Sequence, residues 1–248
     1  MQREQRWEPI TKITLKNGVT GYTQAEINGA FTDYYRELYE APRQWTEDVY
    51  EEFLNGIELQ QMDAEEGTVL GGPITLEEVG GVIKDLANGK TPGGDGLPAE
   101  FYKQYKRVLI PRMVKLYGEV WTQGRLPESS REAVVIPLPK GGQESSRVQS
   151  YRPLSMLTLD FKILSKILAK RLGPWMRKLM HEDQNGFIPA RNTSLNVSRL
   201  YRILEVTDSN QYPRAMVASL DLEKAFDSLC WEFLNRIMQR MNMGPDWS

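Results

Sequence analysis

Residue type and spacing first point to chemistry in the stretch Ser219-Leu220-Asp221-Leu222-Glu223-Lys224-Ala225-Phe226-Asp227. The apolar run Ala215-Met216-Val217-Ala218-Ser219-Leu220 reads as a strand and leads directly into Asp221. A carboxylate at a strand end is held by a rigid element and aimed at a cleft, which suits a metal ligand. Magnesium takes hard oxygen ligands, usually one or two protein carboxylates beside substrate phosphates. Two such ions, about 3.5–4 Å apart, can stabilise the attacking and leaving oxygens of nucleotidyl transfer. The plainer alternative is that Asp221 closes the strand in a turn and Asp227 caps the next helix. The residues by themselves leave both open.

Two further segments carry charge in suggestive places. Ile136-Pro137-Leu138-Pro139 runs into Lys140-Gly141-Gly142, and Ser150-Tyr151-Arg152-Pro153-Leu154-Ser155 follows as a second extended stretch, since proline favours extended backbone before it. Lys140 and Arg152 on such a flap could grip a triphosphate, the arginine in bidentate fashion; otherwise they are solvated loop charges. The stretch 161–180 holds Lys162, Lys166, Lys170, Arg171, Arg177 and Lys178 with no acid, and Arg191 and Arg199 come soon after. That pattern would suit tracking a phosphate backbone, or an ordinary surface helix with cations around its apolar stripe. Gly89-Lys90-Thr91 imitates the end of a phosphate-binding loop, but Lys84 stands where that motif needs glycine and a helix where it needs a strand. His181 reads as a surface or capping residue.

The elements that must position these residues can be read in order. Ile10–Leu15 is strand-like and Asn17-Gly18 is a hairpin turn signal. Thr23 with Glu26, and Thr75 with Glu78, have capping-box spacing. The first opens a helix with Ile27, Phe31, Tyr35 and Leu38 on one face; the second opens one with Val79, Val82, Ile83 and Leu86, ended by Asn88-Gly89. Residues 40–72 are acidic and read as a short helix around Val49–Ile57 followed by a linker. The stretch 90–98 is a Gly/Pro loop, 99–123 a helix broken near Pro111, and 133–137 a strand. Helices follow at 160–180, with a kink at Pro174, at 193–207 (Leu200, Ile203, Leu204) and at 229–241 (Phe233, Ile237, Met241).

Bulk properties narrow the class. The 248 residues are 40% hydrophobic and 26% charged, an ordinary globular composition. No run of about 18 apolar residues exists, so no membrane helix is expected. The polar start, Met1–Glu8, is not that of a secretory signal. One cysteine, Cys230, excludes an internal disulfide framework, and with one histidine it argues against a zinc site. The net charge of −2 conceals an asymmetry: residues 1–70 carry 6 Lys/Arg against 14 Asp/Glu, and residues 71–248 carry 25 against 19. A basic remainder behind an acidic front points to a polyanionic partner for the second part.

Six ordered blocks give the sequence a family likeness. They are Gly89 to Lys103, Ile136 to Lys140, Ser150 to Ser155, Lys162 to Leu172, Asp183-Gln184-Asn185-Gly186-Phe187-Ile188-Pro189, and Ser219 to Asp227. Together they resemble the reverse transcriptase of LINE-type (non-LTR) retrotransposons over about residues 73–248. Residues 1–72 resemble more loosely the acidic extension or linker that precedes the polymerase there. The resemblance implies an α+β, helix-rich, right-hand polymerase fold, incomplete here: N-terminal extension, fingers and the opening of the palm. It implies Asp221 as the first metal-binding aspartate with the Leu222 carbonyl beside it. Phe226 would stack under the incoming sugar and reject a 2′-hydroxyl, while Lys140 and Arg152 would stand near the triphosphate. Lys162, Lys166, Lys170, Arg171 and Arg191 would lie along the nucleic acid. Partners would be an RNA template, a DNA primer and a dNTP, with Mg2+ as cofactor, in cytoplasm or nucleus.

The departures carry equal weight. The family places two more carboxylates on an adjacent Asp-Asp pair, and no Asp-Asp occurs in this sequence. A later Gln-Gly segment, the thumb and the upstream endonuclease are missing as well. The expectation is therefore a fragment in which two-metal catalysis fails, or a nucleic-acid-binding remnant of the fold. A sheet lacking its later strands would leave residues 134–248 prone to aggregation.

Overall fold

The computed structural model describes residues 9–40, 45–208, 216–244 and 247. The chain opens with a hairpin, β1 (Ile13–Thr14) against β2 (Thr20–Gly21). Its turn uses the Asn-Gly signal: Gly18 adopts φ +80° and the Asn17 side chain accepts the Val19 N–H at 3.0 Å. Helix α1 (Gln24–Glu40) starts at the expected capping box, the Glu26 carboxylate accepting the Thr23 N–H at 2.9 Å. Helix α2 (Glu47–Asn55) follows. The acidic stretch after it is not only a linker. It contains α3 (Ala64–Leu70), started by a third capping box, at Asp63 and Glu66, inside the acidic run.

The main core forms around α4 (Leu76–Lys84), opened by the Thr75/Glu78 box. Val79, Val82 and Ile83 face inward and are fully buried. The helix stops at Lys84, before Asn88-Gly89. After the Gly/Pro loop come α5 (Ala99–Gln104) and α6 (Lys106–Gln123). The break lies at Tyr105 and not at Pro111, which sits within α6. Each helix is tied separately to Asp160: the Tyr102 hydroxyl donates to its carboxylate and the Tyr117 hydroxyl to its backbone carbonyl at 2.8 Å. These anchors set two directions on either side of Tyr105, and burial pushes both hydroxyl pKa values far up.

Strands β3 (Val134–Pro139) and β4 (Tyr151–Met156) form an antiparallel hairpin with Leu138 opposite Arg152. Helix α7 (Leu159–Leu179) then carries Ile163, Leu164 and Ile167 into the core with α4 and α6. Two smaller clusters join distant parts. Ile13 and Ile27 pack with Val148 and Tyr151, seating α1 on the β3–β4 hairpin. Met62 and Leu70 pack with Leu179, Met241 and Met243, joining the acidic front to the last helix.

The final third departs from expectation. Helix α8 (Ser194–Asp208) forms, but Leu200, Ile203 and Leu204 remain exposed. The strand expected over 215–220 does not form in its described part, residues 216–220, and Ala215 lies outside the described residues. A strand needs a neighbour for its N–H and C=O groups, and none of the described strands pairs with it. Residues 223–228 are a series of turns, and α9 (Trp231–Arg240) follows.

Candidate nucleotide-binding cleft

A cleft of about 400 Å³ opens between three walls. The β3–β4 hairpin contributes Lys140, Tyr151, Arg152 and Pro153, the segment 221–227 contributes Asp221, Leu222, Glu223, Lys224, Phe226 and Asp227, and α1 contributes Tyr34, Tyr35 and Leu38. The hairpin wall is built by register. Arg152 faces Leu138 across the ladder, Lys140 lies two residues beyond Leu138 on the same pleat, and the Lys140 N–H donates to the Ser150 carbonyl at 2.7 Å. Neither Lys140 nor Arg152 has an ion-pair partner among the described residues. Asp221, exposed, likewise has no hydrogen bond or ion pair among them.

The rest of the segment is less open. Glu223 pairs with Lys224 at 3.5 Å, and Asp227 accepts the Tyr39 hydroxyl at 3.0 Å. Asp227 is therefore not the helix cap considered above: Cys230 occupies the N-cap of α9. Phe226 is 83% exposed with its ring edge-on to Phe187, so it is not a core aromatic. Of the α1 tyrosines only Tyr35 belongs to the apolar stripe expected for that helix; Tyr34 and Tyr39 stand outside it. Tyr35 stacks on Tyr39 with centroids 5.9 Å apart, and burial above all pushes both hydroxyls up to about 12. The only signal for this wall was the Tyr34-Tyr35-x-x-x-Tyr39 spacing, which says nothing about a partner nearly 190 residues away.

The basic residues from Lys162 to Arg191 do not line this cleft, and several of them are used internally. Arg171, with its side chain 11% exposed, forms two bonds to the Glu78 carboxylate and donates to the carbonyls of Leu70, Gly72 and Pro73. Its guanidinium holds the Glu78 carboxyl below the usual range. Arg191 donates to the carbonyls of Arg177, Met180, His181 and Gln184, satisfying acceptors at the end of α7. Lys170 pairs with Asp85 at 2.7 Å and Lys178 with Glu66 at 2.6 Å. Lys162 and Lys166 make no ion pair among the described residues. The stretch 161–180 lacks acids in sequence; its acids arrive in space from α3, from α4 and from Asp85 at the end of α4. His181 is exposed and its Nδ1 accepts the Asp183 N–H at 3.2 Å within a turn, so it is a surface residue and caps no helix.

Residues 138–248 match the family described as reverse transcriptase (RNA-dependent DNA polymerase). That span belongs to the reverse transcriptase family. It begins at the strand end before Lys140 and takes in Arg152, α7 and the Asp221 segment. The chain is 30% identical over 238 residues to the Transposon TX1 uncharacterized 149 kDa protein of Xenopus laevis, covering 96% of this chain and 18% of that protein. It is 28% identical over 176 residues to a probable RNA-directed DNA polymerase from transposon BS of Drosophila melanogaster, covering 70% of this chain and 19% of that protein. Against the RNA-directed DNA polymerase from mobile element jockey, also of Drosophila melanogaster, it is 29% identical over 157 residues, 62% of this chain and 17% of that one. The chain thus spans under a fifth of the length of each of these relatives. The likeness to LINE-type retrotransposon reverse transcriptases carried by the six blocks agrees with these matches.

Reverse transcriptases use divalent metal ions, which sets a test for the cleft. Asp221 offers one open carboxylate with the Leu222 backbone next to it, but no three His, Cys, Asp or Glu side chains converge on a cation site among the described residues. These residues fit one carboxylate contact and do not fit a two-ion site.

Proposed function

We propose that this chain is the nucleotide-gripping part of a LINE-type RNA-directed DNA polymerase: an N-terminal extension over 1–72, then the fingers and the opening of a right-hand palm over 73–248. The substrate is a deoxynucleoside triphosphate bound in the cleft between the hairpin and Asp221. The carrying observation is that Lys140 and Arg152, two cations without ion-pair partners among the described residues, share one cleft with an equally open Asp221. Arg152 presents a planar fork to phosphate oxygens and Lys140 a point charge on the same pleat. Phe226 is exposed and lines the cleft, and its ring would lie under the sugar and meet a 2′-hydroxyl if one is present.

Template RNA would run past Lys162 and Lys166, with Lys170, and with Arg171 and Arg191 acting through the shape they give α7 and its end. Phosphoryl transfer through two ions needs further carboxylates, and the 248 residues contain no Asp-Asp pair. Binding is accordingly the activity proposed for this chain. Magnesium-dependent extension of a primer on an RNA template, abolished by Asp221→Ala, would extend the proposal to catalysis.

Titration of the purified chain with a fluorescent dNTP tests the reading. Saturable binding is expected, weakened about tenfold by Arg152→Ala, as for loss of a charge-assisted hydrogen bond. Lys115→Ala, on the exposed face of α6, serves as the control. Equal affinity in Arg152→Ala and wild type would overturn it. Binding of single-stranded RNA is expected to fall with salt with a log–log slope of about 0.7 per phosphate neutralised.

A further inference from the structure

The segment that carries Asp221 has no strand neighbour among the described residues, so something else must fix it. Among the described residues, contacts reach it from Tyr34, Tyr39 and Tyr50. The Tyr39 hydroxyl donates to the Asp227 carboxylate at 3.0 Å. Lys224 Nζ lies 4.9 Å from the centroid of the Tyr34 ring. The Tyr50 hydroxyl and Cys230 Sγ are 3.3 Å apart. Behind them α9 is tied to α2, through Arg236 to Glu47 and through Arg240 to Glu51 at 2.6 Å.

Two features make the α1 contacts more than incidental. Lys224 adopts φ +54°, in the left-handed region that a residue with a side chain occupies only when its surroundings hold it there. The Tyr34 face holds its ammonium by cation–π attraction. Tyr34, Tyr35 and Tyr39 also form one rigid array, Tyr35 being edge-on to Tyr34 with centroids 5.2 Å apart and stacked on Tyr39. A tyrosine has few rotatable bonds, so an interlocked set is a stiff support.

We infer that Tyr34 and Tyr39 of α1 are positioning residues that clamp the turn 224–227 and thereby set where Asp221 stands in the cleft. The clamp replaces the pairing that a strand neighbour would give. Its bearing on nucleotide affinity rests on the nucleotide reading above; its effect on the segment does not.

Hydrogen–deuterium exchange on the full chain without ligand tests the clamp directly. The reporter is the segment 221–230, where the Ser228 N–H donates to the Lys224 carbonyl at 2.9 Å. Tyr39→Phe removes one hydroxyl, and exchange over 221–230 is expected to rise about fivefold, the loss of one hydrogen bond, while α4 and α7 stay unchanged. Asp227→Ala is expected to do the same. Asp227→Asn keeps an acceptor oxygen for Tyr39 and is expected to stay near wild type. Unchanged exchange in both Tyr39→Phe and Asp227→Ala overturns the clamp. If Tyr39→Phe loosens the whole chain, equal exchange in Asp227→Ala and Asp227→Asn overturns it instead.

A dNTP titration separates the two claims. Tyr39→Phe is expected to weaken binding in the wild-type background but not in Asp221→Ala, because it acts through Asp221. Losses that multiply would mean that Tyr39 touches the nucleotide itself, and tighter binding would mean that α1 obstructs the cleft; either overturns the inference. No effect of Asp221→Ala on nucleotide binding would remove Asp221 from the nucleotide reading and leave the exchange result to decide the clamp alone.

Discussion

The helices around Ile163 and the segment 216–230 are both rich in apolar residues, yet they end in opposite environments. Ile163 is 0% exposed among Val79, Val82 and Ile83, whereas Met216 is 90% and Leu220 92% exposed. Helices α4, α6 and α7 close their own backbone hydrogen bonds and then need only a facing stripe. The run before Asp221 has the composition of a strand, but a strand's backbone is satisfied only by another strand. Apolar composition names the element; pairing decides whether it forms. The Lys140 and Arg152 side of the cleft stands on a hydrogen-bonded hairpin, and its Asp221 side stands beside contacts from α1.

Substitutions can break or sharpen this contrast. Ile163→Ala is expected to cost about 2–5 kcal/mol in urea melts, as for a large-to-small change in a closed core. An equal loss for Leu220→Ala would erase the difference between the regions. Arg171→Met is expected to cost about 3 kcal/mol, because it removes the cation that pairs with Glu78 and donates to three backbone carbonyls. It has a pH signature too. The folded Glu78 carboxyl is depressed by Arg171, so its contribution is complete above the ordinary carboxylate value of about 4.3 and lost as pH falls through the lower folded value. Melts across that acid range should lose this limb in Arg171→Met. Gly93→Ala comes next, at about 1–3 kcal/mol, since an added Cβ would stand 2.5 Å from the Leu157 carbonyl oxygen, which is backbone and cannot swing away. Thr75→Ala should cost about 1 kcal/mol through the α4 capping box. Leu220→Ala is the smallest, under about 0.5 kcal/mol.

What could be read in advance follows the range of each interaction. The boxes at Thr23 and Thr75 and the Asn17-Gly18 turn act within three or four residues and were legible. The Asp63/Glu66 box was equally local but hidden in an acidic run taken for a linker. The helices at 159–179 and 194–208 were legible from periodicity, yet only the first buries its stripe, because burial depends on a partner that periodicity does not name. Lys140, Arg152, Asp221, Leu222 and Phe226 were identified from their blocks, and they line one cleft. Arg171 and Arg191 looked like free cations because their acceptors come from other elements. The α1 wall was invisible for the same reason: Tyr39 and Asp227 are 188 residues apart.

Photolabelling bears most directly on the central claim, that the cleft between the hairpin and Asp221 receives the nucleotide. The purified chain is irradiated with an azido-dATP and the modified peptides are located by mass spectrometry. Label is expected on the β3–β4 hairpin and on 221–227, competed away by unlabelled dNTP and reduced in Arg152→Ala. Competable label confined to α7, α8 or the loop 90–98, with none on the hairpin or on 221–227, would contradict the account.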